Sequence, residues 1–242
     1  RIMQCVVPLA GPQLTHPRYG LIAKYPVDGA PLLRRTIETR RWWIDGRLRS
    51  ADLTFVLREG PELEEIRAAV EGWFPGCRTV VLSHLTQGAA LSALAGVAAV
   101  SDLDTPLVID LADILYDTDA DIERCFSSDA TGAAVTYFED RDPCYSYFRL
   151  GQDGSVAFAA EKNVISSHAS AGTYIFRTAG HFIAAVGRSL VESRAELTVG
   201  KALFVCPVVN SIVRQGLQVM PLEVRNVQSV SKLLHDGAAA LP

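Results

Sequence analysis

Five aspartates crowd one short stretch of the chain: Asp110, Asp113, Asp117, Asp119 and Asp121. The first two follow the apolar run Leu107-Val108-Ile109, the kind of run that fills a buried parallel strand. In open α/β sheets, ligands sit outside the carboxyl ends of the strands. A carboxylate there can hold Mg²⁺ against a phosphate, because Mg²⁺ takes one or two carboxylates together with substrate oxygens. A strand end followed by a solvated acidic turn accounts for the same residues equally well.

Three other places carry groups of the right type. Glu161 and Lys162 are adjacent opposite charges at a strand end, where the carboxylate could accept from sugar hydroxyls and the ammonium could meet a phosphate. Gly172, further on, leaves room for backbone contact with a ring. The competing reading of the pair is an exposed contact worth little. Gln87 beside Gly88 offers a donor and an acceptor to a base edge, or serves as a cap or surface residue. Leu9-Ala10-Gly11 ends the first strand as a turn under a nucleotide would, with glycine admitting phosphate. The loop from Pro12 to Pro17 has no second glycine, and its two prolines lack backbone donors, so it suits a plain connection better than a phosphate cradle.

Elements that would position these groups can be read from periodicity. Strands are expected over 2–10, 53–57, 79–82 and 107–109. Helices are expected over 32–43, 62–73 and 118–127, with a small-residue helix beginning near 89. In the first of these, Arg34, Arg35, Arg40 and Arg41 read as a solvated face. Leu63, Ile66, Val70 and Trp73 make a core stripe on the second. This alternation predicts an α/β fold, a Rossmann-like, doubly wound and mostly parallel sheet. After Thr131 the rhythm changes to strands over 133–138, 145–150, 155–160 and 172–176, with a hairpin turn at Gly151-Gln-Asp-Gly154. Helices over 180–191 and 203–215, strands over 217–222 and 224–227 and a helix over 229–235 complete the chain. No repeat or linker divides the 242 residues, so one domain is expected, with halves 1–130 and 131–242.

Composition narrows the function. At 49% hydrophobic and 21% charged, the chain can build one sizeable core. A net charge of −4 argues against nucleic acid and membrane surfaces as partners, though local Lys or Arg can still bind a small phosphorylated ligand. The five cysteines are scattered, without zinc spacing, and read as reduced thiols of a cytoplasmic protein. No apolar run reaches membrane-spanning length.

Taken in order, these motifs resemble the sugar-phosphate nucleotidyltransferases, a GT-A-like, Rossmann-related family that joins a nucleoside triphosphate to a sugar phosphate and releases pyrophosphate. Leu9-Ala10-Gly11 resembles the start of its signature loop. Tyr25 to Leu33, Gln87-Gly88-Ala89 and Pro106 to Asp113 resemble its following segments. The densest match runs from Tyr145-Ser-Tyr147 through Glu161-Lys162 to Gly172-x-Tyr174-x-Phe176, and Val205 to Asn210 continues it. The resemblance implies a nucleotide-binding half over 1–130 and a small antiparallel sugar-binding portion within 131–242. It implies Asp113 as the Mg²⁺ ligand and catalytic carboxylate, with Leu9, Ala10, Gly11, Gln87 and Gly88 on the nucleotide. It implies Tyr147, Glu161, Lys162 and Gly172 on the sugar phosphate, Lys162 being catalytic as well. The partners implied are a nucleoside triphosphate and a sugar phosphate or nucleotide sugar; a homo-oligomer is compatible.

The departures fall on the triphosphate side. The family's loop continues G-x-G-[ST]-R, whereas Gly11 is followed by Pro12, Gln13, Leu14 and Thr15. Its catalytic lysine falls at Ile22, with Lys24 two residues away as a substitute. Its second metal aspartate falls at Asn226. Besides the active enzyme, a catalytically silent relative that binds a sugar phosphate or nucleotide sugar as a regulatory or partner subunit fits the pattern. A GT-A glycosyltransferase ranks below both, because Asp110-x-x-Asp113 lacks the D-x-D spacing.

Overall fold

The computed structural model of the chain describes residues 2–100, 102–230 and residue 234. Short apolar strands, each followed by an amphipathic or small-residue helix, build its first half. Strands β1 (Gln4–Pro8), β2 (Leu53–Arg58), β3 (Arg78–Leu82) and β4 (Leu107–Asp110) pair in parallel in the order β4-β1-β2-β3. Cys5 lies opposite both Leu53 and Val108. Successive strand residues point to opposite faces, and the core divides accordingly. Cys5, Val7 and Val108 pack on one face with Ile66 and Val70 of helix 63–73 and with Phe74, which follows it. Val6, Leu107 and Ile109 pack on the other with Ala90, Ala93 and Val97 of helix 89–97. Helices on both faces make the sheet doubly wound. The small residues of the second helix let it press close: a Cβ at Gly96 would lie 2.5 Å from the Val6 side chain.

The second half extends the same sheet with antiparallel partners. Ile114–Asp117 is strand β5. Beyond it come β6 (Thr131–Glu139), the hairpin β7 (Tyr147–Leu150) and β8 (Val156–Ala160), and the central β9 (His168–Phe176). β9 runs antiparallel to β4, with Thr173 opposite Asp110, and joins the parallel sheet to β6 and β7. The sheet thus crosses position 130 without interruption.

Several elements differ from expectation, each for a local reason. The helix expected over 32–43 ends at Glu38, where the Thr39 hydroxyl donates back to the Arg35 and Thr36 carbonyls; a second turn, Arg41–Ile44, follows. The helix expected over 118–127 shrinks to Ile122–Cys125, capped by the Asp121 carboxylate on the amides of Glu123 and Arg124. Residues 114–117 instead pair with β13 (Arg225–Ser229). In place of one helix over 203–215 there are two parts. A tight hairpin, β10 (Thr198–Val199) with β11 (Ala202–Leu203), precedes a helical segment from Cys206 to Arg214. The strand expected over 217–222 is β12 (Gln218–Glu223), parallel to β6. The helix expected over 229–235 lies mostly outside the described residues.

Candidate functional site

A cleft of about 680 Å³ opens at the carboxyl ends of β1 and β4. Leu9, Gly11, Pro12, Gln13 and Leu14 form one wall, and Thr86, Gln87 and Gly88 form a second. Asp113, just past β4, lines it as well, with Lys201 and with Lys162 beside the Phe204 ring. Among the described lining residues Asp113 is the one carboxylate, and Lys162 and Lys201 are the cations.

A buried ion pair lies near Asp113 and corrects the reading of Arg40 as part of a solvated face. The Arg40 and Asp110 side chains are 1% and 2% exposed and meet at 2.8 Å. Asp110 is therefore committed to the fold, whereas the Asp113 carboxyl opens to the cleft. Protein crowds Asp113 on its other sides. That crowding, with the nearby Asp110 carboxylate, pushes its pKa up to about 6. Gly172 adopts a left-handed backbone (φ 79°) and its α-carbon faces this carboxylate; an added Cβ would lie 3.0 Å from Asp113 Oδ1. The glycine clears space for the aspartate.

Two residues that rarely adopt positive φ do so here, Ala112 (φ 54°) and Lys162 (φ 49°), and both line the cleft. Such backbones cost about 1–3 kcal/mol each and persist where surrounding structure enforces them. Lys162 Nζ lies 5.0 Å from the Phe204 ring centre, and no ion pair joins it to Glu161 among the described contacts. Glu161 is half-buried and accepts from the Ser146 hydroxyl. Burial raises its pKa, while Ser146 and Lys162 oppose the rise.

Gln87 and Gly88 also line the cleft. Gly88 (φ 106°) has a structural duty: a Cβ would fall 2.1 Å from the Leu203 carbonyl oxygen. The Leu203 amide donates to the Gln87 carbonyl at 2.7 Å, tying this wall to the 198–203 hairpin. That hairpin brings in Lys201, which sequence reasoning missed because nothing in a Gly-Lys turn marks it as facing a cleft.

Glu161 and Gly172 adjoin the lining residues Lys162 and Asp113 without lining the cleft themselves, and four further expected site residues sit elsewhere. Ala10 is buried in the core. Tyr147 is fully buried and its hydroxyl donates to the Asp142 carbonyl at 2.7 Å, so it supports the 140–147 turn instead of reaching a ligand. Lys24 points outside the lining and pairs with Glu65 at 2.8 Å, while Ile22 faces the cleft. Asn226 donates to Asp117 at 2.7 Å, and the residue that meets Asp113 is Val230, whose amide donates to the Asp113 carbonyl. The antiparallel register of β13 on β5 fixes this, with Ser229 opposite Ile114.

As a divalent-cation site this cleft offers one carboxylate. Among the described residues no group of three or more His, Cys, Asp or Glu could enclose a metal. One carboxylate suits an Mg²⁺ that arrives with phosphates supplying further oxygens, and does not suit a site closed by protein alone.

No protein-family model matches the chain, and no curated sequence does. Solved structures match over nearly its whole length. The nucleoside-diphosphate-sugar pyrophosphorylase from Vibrio cholerae RC9 is similar at 17% identity and a TM-score of 0.77, covering 98% of this chain and all of that one. A UDP-glucose pyrophosphorylase complexed with UDP-glucose matches at 14% identity and 0.69, over 99% and 98%. The inositol-1-phosphate CTP transferase from T. maritima matches at 14% and 0.66, over 94% and 87%. The chain therefore has the fold of the sugar-phosphate nucleotidyltransferases, the fold its motifs resemble.

Proposed function

We propose that this cleft binds a phosphorylated sugar, most tightly as a nucleotide sugar, and that nucleotidyl transfer from a free triphosphate is weak. The observation that carries this reading is the uneven distribution of charge. Lys162, which the resemblance puts on the sugar phosphate, lines the cleft together with Lys201. Where the resemblance puts the triphosphate, the wall is Pro12, Gln13, Leu14 and Ile22, and Lys24 is engaged with Glu65. A triphosphate brings more negative charge than a nucleotide sugar and needs cations or donors on that wall.

Each side chain then has a defined part. Gln87 offers its amide to a base edge. Lys162 and Lys201 neutralise the phosphate that bears the sugar, and Glu161, fixed by Ser146, accepts from sugar hydroxyls. Asp113 would hold Mg²⁺ entering on the phosphates, and bound Mg²⁺ would offset phosphate charge. The five cysteines are all free thiols, which supports a reducing compartment. No described helix is long and apolar enough to cross a membrane.

The open carboxylate of Asp113 favours a second reading, residual nucleotidyl transfer. In that reaction the sugar-phosphate oxygen attacks the α-phosphorus in line and pyrophosphate leaves, with positioning and charge neutralisation lowering the barrier. Incubation with pooled triphosphates and sugar phosphates in Mg²⁺ separates the two. Pyrophosphate release little faster than in buffer is expected; sustained turnover would favour the enzyme.

A further inference from the structure

We propose that Arg40 is a positioning residue for Asp113: its guanidinium fixes Asp110, Asp110 holds the Ala112 amide, and the resulting turn presents Asp113 to the cleft. This deepens the ligand-binding reading above and rests on it for the role of Asp113. The chain of contacts is continuous. Arg40 Nε and Nη2 donate to the two Asp110 carboxylate oxygens at 2.8 and 3.1 Å, a bidentate fork. Asp110 Oδ1 also accepts from the Ala112 amide at 2.9 Å. Arg40 Nη2 donates again, to the Ile114 carbonyl at 3.0 Å, so one guanidinium grips the turn on both sides of Asp113.

An aromatic ring fixes the fork further, although Arg40 Nη1 is buried without a hydrogen-bond partner among the described residues. The guanidinium lies 3.7 Å from the centre of the Tyr116 ring, and Tyr116 bonds to the Thr173 hydroxyl at 2.7 Å. The turn needs such a hold because Ala112 has φ 54°, a backbone that glycine adopts freely and alanine does not. The pair has an electrostatic consequence as well. Arg40 partly offsets the Asp110 charge that Asp113 feels.

The test separates this role from plain stability. Removing one partner of a buried pair leaves a bare charge, whereas replacing both with apolar residues often leaves stability intact. The full-length Arg40→Met/Asp110→Leu double variant is therefore compared with wild type in two measurements. Amide exchange at Ala112 should be at least tenfold faster in the double variant. Mn²⁺ affinity, measured with UDP-glucose present, should fall at least tenfold and recover severalfold when Ala112→Gly is added, since glycine takes the turn unaided. If the double variant does not fold, Arg40→Lys takes its place, keeping the charge and losing the fork, with faster Ala112 exchange expected again. Unchanged exchange at Ala112, or lost Mn²⁺ affinity that glycine does not restore, would overturn the proposal. Wild-type protein that binds no Mn²⁺ would overturn the ligand reading of Asp113 instead, and the exchange result would still decide whether the pair holds the turn.

Discussion

The two sides of the cleft differ in kind. On the side proposed for the sugar, Lys162 holds a strained backbone and Glu161 is fixed by Ser146, while Lys201 arrives from a separate hairpin. Across from it, Pro12, Leu14 and Ile22 present apolar surface where a triphosphate would need donors. Strain is kept in a fold where something requires it, and two of the four described non-glycine residues at positive φ, Ala112 and Lys162, line the cleft. The same sheet thus supports two sides of unequal chemistry.

The largest effect is expected at the joint between the Gln87-Gly88 segment and the hairpin that carries Lys201. Gly88→Ala would drive a Cβ into the Leu203 carbonyl from a positive-φ position. Strain and overpacking together should cost about 2–4 kcal/mol, lowering Tm by roughly 4–16 °C, as calorimetry would read. An unchanged Tm would mean that the hairpin yields freely. Next, Lys162→Ala removes a charged phosphate partner, worth about 1.5–3 kcal/mol. Nucleotide-sugar affinity should then fall about tenfold or more, with triphosphate binding less affected. Equal losses for both ligands would erase the contrast between the sides.

Ile22→Lys should sharpen that contrast by reversing it. Restoring a cation on the apolar wall should tighten triphosphate binding about tenfold, on the order of 1.4 kcal/mol, in titrations with Mg²⁺ present. No gain would show that the wall is not where the triphosphate lies.

How far these positions were legible depends on the distance over which each is decided. The run 107–109 and the stripe Ile66, Val70 signal their elements within a few residues, and both appear where expected. The Glu161-Lys162 motif is likewise local. Arg40 looked solvated because its partner lies 70 residues away, and only the sheet brings them together. Asn226, read as the second metal position, bonds to Asp117. It is the Val230 amide that reaches the Asp113 backbone, because strand register is set by pairing across β5. Tyr147 carries a polar handle that a turn carbonyl satisfies inside the core.

Smaller effects test Asp113 and Asn226. Asp113→Asn should stabilise the metal-free protein by no more than about 1 kcal/mol, because water reaches and screens the carboxyl. The native carboxyl titrates near 6, above its unfolded value of about 3.9. The folded state therefore binds more protons between those values, and wild-type stability falls as pH rises through that window. The advantage of the asparagine variant should be absent below about pH 4, grow towards pH 6 and stay level above it. A constant difference across that range in denaturant titrations would contradict the raised pKa. Least of all should come from Asn226→Asp. It exchanges a donor to Asp117 for a like charge on an exposed strand, with a stability change within about 0.5–1 kcal/mol and unchanged Mn²⁺ affinity. Tighter Mn²⁺ binding would mean that Asn226 reaches the metal after all.

The uneven cleft is tested most directly by calorimetry on the wild-type chain in Mg²⁺, titrating nucleotide sugars against triphosphates of the same bases. Nucleotide sugars should bind at least about tenfold more tightly, a difference of about 1.4 kcal/mol. Micromolar triphosphate binding with silent nucleotide sugars would contradict it, and would make the wall of Pro12, Leu14 and Ile22 a working phosphate site.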